Sequence, residues 1–177
     1  MFRIIVLLTL LHFYQPVFST EDTVSQGVAR YLTRIHKYME DEDWINAKRE
    51  LEVTARRYFK NEDSYERALI NQLYGQFYAL QRDYKNATPW FEKAIAKGRL
   101  PFAADLQVTY SLAQCYFQTG RYQDVIKTLE NYRNKAEKRG QNMAPIQLML
   151  LGIAYYQEQD ILNAYANIAE ANATATK

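Results

Sequence analysis

The chain has 177 residues, 48% of them hydrophobic, with 22 Lys and Arg against 20 Asp and Glu. That length suits one domain with a real core, and the near balance of charge offers no strong field for nucleic acid or an anionic membrane surface. With 15 Tyr and 8 Phe against 6 Gly and 4 Pro, long helices are favoured over disorder, and the expected fold class is all-α.

Residues 1–19 have the three parts of a secretory signal peptide: the basic start around Arg3, the apolar run Ile4 to Phe13, and Val17-Phe18-Ser19 as an A-x-A-like cleavage site. The run is too short to span a bilayer comfortably, and no Cys follows it to accept a lipid. The expectation is cleavage near Ser19, a mature chain beginning near Thr20 without an integral membrane segment, and a periplasmic location.

Beyond the signal, apolar positions fall into paired helical stripes. Val28, Tyr31, Leu32, Ile35 and Tyr38 follow the i, i+3, i+4, i+7 rule, and a second stripe starts at Trp44 after Asp41-Glu42-Asp43. A second pair runs from about Ser64 to Gln81 and from Tyr84 to Lys97, closed by Gly98. Pro101 opens a third pair, interrupted at Gly120-Arg121, and Pro145 opens a fourth that restarts at Ile161. The predicted units cover about 24–59, 64–98, 102–139 and 145–174, about eight helices in all.

The four pairs carry one packing pattern at a spacing near forty residues. Gly75, Tyr78, Tyr84, Ala87, Phe91 and Ala94 recur as Ala113, Tyr116, Tyr122, Val125, Leu129 and Tyr132, then as Gly152, Tyr155, Ile161, Ala164, Ile168 and Ala171. One step back, the slots hold Ile35, Tyr38, Trp44, Ala47, Leu51 and Thr54. The G-x2-Y and A-x3-F elements resemble the core of the tetratricopeptide repeat (TPR), a helix–turn–helix unit that buries a continuous core by stacking. A TPR solenoid of about four units is expected. Small residues at 75, 113, 152, 87 and 164 let paired helices approach, and Val125 departs from that rule.

An array of this kind binds; catalysis is not expected. Beyond the signal, the sole histidine is His36 and the sole cysteine Cys115. They lie on different units, which excludes a metal site or a Cys–His pair built from them. His36 reads as a groove or surface residue, and Cys115 as a buried, inert thiol. No carboxylates are paired on an apolar face, and the glycines are isolated, so neither general acid–base chemistry nor a phosphate loop is indicated. No cofactor and no catalytic residue is assigned. Asn86-Ala87-Thr88 fits the glycan-acceptor pattern, but it places Ala87 in a core slot and precedes Pro89, so it reads as a chance match.

The concave wall of such an array comes from the first helix of each unit. The flanking positions are Leu69, Gln72 and Gln76, then Gln107, Tyr110, Gln114 and Phe117, then Met149, Ile153 and Tyr156. Amides, aromatics and Met predict an extended or helical peptide held by hydrogen bonds and apolar contact, with Tyr110 and Phe117 as the main anchors. The Lys, Asn and Arg set of a carboxylate clamp is missing. At the far end Ile161, Leu162, Tyr165 and Ile168 cannot all face inward, and no polar capping helix follows. The expectation there is an end-to-end homodimer or a docked partner.

Further motifs sharpen the resemblance: Tyr65-Glu66-Arg67-Ala68-Leu69, Asp83-Tyr84-Lys85-Asn86-Ala87, Gly98-Arg99-Leu100-Pro101 and Gly120-Arg121-Tyr122. From Tyr65 to Asn134 the chain resembles the small exported TPR proteins associated with TonB–ExbB–ExbD systems of gammaproteobacteria. That resemblance implies a periplasmic adaptor accessory to TonB-dependent uptake, with a component of the TonB complex as the partner. The alternative is a TPR factor in envelope or outer-membrane assembly, or a regulator of a cell-wall enzyme.

Overall fold

The computed structural model describes residues 26–58, 61 and 63–175; the predicted signal peptide and its cleavage site lie outside them. Among the described residues there are eight helices and no strand. They are α1 (Gln26–Glu40), α2 (Trp44–Tyr58), α3 (Tyr65–Leu80), α4 (Tyr84–Ile95), α5 (Phe102–Gln118), α6 (Tyr122–Glu137), α7 (Pro145–Gln157) and α8 (Ile161–Ala175). Each helix packs on its predecessor and its successor, giving a solenoid of four helical hairpins. No helix among them is long and apolar enough to cross a membrane.

The hairpin turns repeat one backbone solution. The carbonyls of Tyr38, Tyr78, Tyr116 and Tyr155 accept the N–H five residues on, from Asp43, Asp83, Arg121 and Asp160, at 2.8–2.9 Å. This closure puts the residue just before each donor in the left-handed region, with φ of 55° at Glu42, 61° at Arg82, 74° at Gly120 and 64° at Gln159. Three units use a side chain there that bears a Cβ; only the third uses glycine.

The helix that follows is capped by the same device three times. Asp43, Asp83 and Asp160 each accept the backbone N–H of the asparagine three residues on, Asn46, Asn86 and Asn163, and each takes that residue's amide on its other oxygen. The third unit reverses the polarity: Arg121 occupies the cap and its Nε donates to Asp124 at 2.7 Å. Asn86 is therefore engaged in a cap, and Thr88 is buried with its hydroxyl donating to the Tyr84 carbonyl. That arrangement fits the chance-match reading of the glycan triplet.

Within hairpins, the tight slots do what their spacing predicts. A Cβ added to Gly75 would sit 2.5 Å from Phe91 Cδ1, and one added to Gly152 would sit 2.7 Å from Ile168 Cγ1. Ala87, Ala113 and Ala164 are buried, and Val125 is fully enclosed despite its size. Between hairpins, hydroxyls of the tyrosine slot reach back to the preceding unit. Tyr116 donates to Glu92 at 2.6 Å, and Tyr155 donates to Glu130 at 3.1 Å.

The buried side chains form two clusters that meet at α3. One holds Val28, Leu32, Ile35, Met39, Ala47 and Leu51 with Ile70, Leu73 and Phe77; the other runs from Ala68 through Phe91, Val108, Leu129 and Leu151 to Ala171. Leu69 and Tyr78 touch both.

Candidate functional site

The first helices of units two to four turn one face toward a shared groove. α3 contributes Gln76, Ala79 and Leu80; α5 contributes Gln107, Tyr110, Ser111, Gln114, Cys115, Phe117 and Gln118; α7 contributes Ile146, Met149, Leu150 and Ile153. Tyr84 and Phe91 of α4 complete the lining of a groove of about 1010 Å³ that is open to solvent. No lining residue carries a charge. Four glutamines supply amide donors and acceptors among apolar walls, a surface suited to a peptide's main chain and its apolar side chains rather than to an ion.

Of the ten positions expected on the concave wall, seven meet here: Gln76, Gln107, Tyr110, Gln114, Phe117, Met149 and Ile153. Three lie elsewhere. Leu69 packs against both core clusters. Gln72 has its Oε1 buried with no hydrogen-bond partner among the described residues. Tyr156, near the end of α7, is exposed beyond the groove. Leu80, Ser111, Gln118 and Ile146, which sequence spacing did not single out, form parts of the wall. Leu80 and Gln118 lie in the last turns of their helices, where the repeat pattern holds no slot.

Tyr110 is the best-prepared contact. Its ring is half-buried, its hydroxyl is hydrogen-bonded to Gln114, and burial pushes its pKa up to about 12, so it stays a neutral donor at physiological pH. Phe117 is partly committed to the fold, with its ring meeting Tyr122 edge-on at 5.6 Å between centroids. Cys115 lies at the groove floor, and burial lifts its thiol pKa to about 12, far from thiolate reactivity. His36 is away from the groove. It is half-buried on α1, where loss of solvent lowers its pKa to about 4, so it is a partly covered residue and not one of the groove.

At the other expected site, Ile161 is 57%, Leu162 85% and Tyr165 76% exposed. Ile168 is half-buried against Gly152, so it belongs to the hairpin more than to the outer face.

Residues 80–141, from the end of α3 through α6, match the family described as Anaphase-promoting complex, cyclosome, subunit 3. Among solved structures, the chain is similar to BtubC (BKLC) from P. vanneervenii, with a TM-score of 0.69 at 18% identity over 84% of this chain and 63% of that one. The chain thus spans less than two thirds of the length of that protein. No curated protein is significantly similar in sequence. At this identity the likeness speaks to fold. Together with the eight paired helices it makes the chain an all-α solenoid of the TPR type, an architecture of protein–protein interaction modules.

Proposed function

We propose that this chain is a non-enzymatic adaptor whose α3–α5–α7 groove holds an uncharged segment of a partner protein. The observation that carries this reading is the convergence of three helices on one groove lined by glutamines and apolar side chains, with no charge among its walls. Such a lining satisfies a peptide's backbone and its apolar side chains, and would leave a buried carboxylate or ammonium group uncompensated. The resemblance to exported TPR proteins of TonB systems supports a periplasmic location after removal of residues 1–19. It also supports an accessory role in TonB-dependent energy transduction, through contact with a component of that complex.

The test is site-specific photo-crosslinking from position 107, which is exposed at the groove. It would be made in cells expressing the full chain and a TonB–ExbB–ExbD system. A cross-link to a component of that system is expected. Gln114→Lys combined with Tyr110→Ala, both in the groove wall, should lower its yield at least about tenfold, in line with the loss of one anchoring aromatic residue, while the helical circular-dichroism signal is kept. A cross-link only to an outer-membrane assembly factor or a cell-wall enzyme would replace the TonB assignment. An undiminished cross-link in the folded double variant would remove the groove as the binding site.

A further inference from the structure

The outer face of α8 differs from the corresponding faces of α4 and α6. On α4 and α6 that face receives the first helix of the next unit, fixed by a tyrosine hydroxyl donating to Glu92 or Glu130. Stepping by the repeat spacing, the position of Glu92 and Glu130 becomes Ala169 on α8. Likewise the slot of Lys85 and Gln123 becomes Leu162, and that of Thr88 and Ile126 becomes Tyr165. The acceptor that a further stacked unit would use is missing, and the polar slot of Lys85 and Gln123 has turned apolar. A copy joined head to tail would bring Tyr38 of its α1 against Ala169, with no oxygen to receive the hydroxyl.

The face is instead complementary to itself. Its exposed stripe runs Leu162, Tyr165, Ala166, Ala169 and Ala173, large at the N-terminal end and small at the C-terminal end, with no charge along it. The nearest acid, Glu170, is turned toward Arg133 of α6, with the oxygen at 3.6 Å from Nη2. Two such helices laid antiparallel about a two-fold axis near residues 167–168 would set Leu162 of one over Ala173 of the other. Tyr165 would lie beside the partner's Ala169, with Ala166 and Ala169 meeting at the axis. Large residues then fill the space that alanines leave, without like-charge repulsion. We infer that α8 is the interface of a two-fold homodimer, the second copy lying antiparallel on Leu162, Tyr165 and the alanine stripe. The grooves of the two copies would remain separate and open.

Sedimentation velocity on the protein as it accumulates from the full chain tests this across the micromolar range. A species of twice the protomer mass is expected. Leu162→Glu and Tyr165→Glu, both at exposed positions, should each weaken association on the order of a hundredfold, since symmetry counts every substitution twice. Ala169→Leu separates this pairing from general stickiness. It makes the face more apolar, yet it blocks the close approach, so it too should weaken the dimer. The inference is overturned by a monomer throughout, by a dimer indifferent to both Glu substitutions, by open-ended oligomers that grow with concentration, or by an Ala169→Leu protein that associates more tightly.

Discussion

Replacing Gly75 by alanine pits two terms of known size against each other. Within α3, alanine is favoured over glycine by about 0.8–1.0 kcal/mol through helix propensity. Against this, the new Cβ would stand 2.5, 2.6 and 2.8 Å from Phe91 Cδ1, Cε1 and Cγ, where carbon pairs rest at roughly 3.5–4.0 Å. The ring would have to retreat by about 1 Å in a close-packed interior. Phe91 is 1% exposed and hemmed in by the larger core cluster, so no free direction exists. Overpacking of this kind costs about 1–3 kcal/mol, and the net expectation is destabilisation by about 1 kcal/mol, or roughly 2–4 °C in Tm. In a Phe91→Leu background the clash is gone and the propensity gain remains, so the same substitution should stabilise. Chemical denaturation of the four proteins of this cycle reads the sign reversal directly. Gly75→Ala stabilising the parent protein, or a coupling below about 0.5 kcal/mol, would refute the claim that the Gly75–Phe91 contact sets the spacing of α3 and α4.

Other expectations concern the turns, a histidine and a thiol. Arg82→Gly should raise stability by up to about 1 kcal/mol, because Arg82 holds φ at 61° and glycine removes the Cβ penalty of that region; an unchanged or lower Tm would argue against strain there. His36 has a folded-state pKa lowered from 6.5 to about 4, so its neutral form is favoured by the fold. The stability this gives is complete above pH 6.5 and is lost as pH falls toward 4, by about 3 kcal/mol in total. His36→Gln should flatten that part of the pH–Tm curve. Cys115, with its thiol pushed up to about 12, should react with a thiol reagent at pH 8 only as fast as the core opens. Fast labelling of the native protein would place it at the surface.

The repeat pattern was legible in sequence wherever a contact is made by a residue of fixed size in a fixed slot. Gly75 against Phe91 and Gly152 against Ile168 join slots that the repeat spacing marks, and Ser64, at the predicted start of the second pair, caps α3 by accepting from the Arg67 N–H. The cap shared by Asp43, Asp83 and Asp160 was also present as an acid three residues before an asparagine, but acids in short polar breaks read as solvated loop residues. Helical periodicity gives the direction of a side chain and says nothing of which neighbour covers it. For that reason Leu69, which packs against both core clusters, and Gln72, whose Oε1 is buried, looked like groove residues. The bonds from Tyr116 to Glu92 and from Tyr155 to Glu130 span 24 and 25 residues, and no local pattern announces them.

The meeting of the two core clusters at α3 gives the array a preferred direction of failure. α1 and α2 are secured through a cluster that only α3 shares with the rest, whereas the groove is walled by helices of the larger cluster. Tension applied at the N-terminal end would therefore peel off the first hairpin as one cooperative step, while the groove between α3, α5 and α7 stays intact. In a protein that links partners under load, such a hairpin acts as a mechanical fuse: it lengthens the tether before the grip is lost.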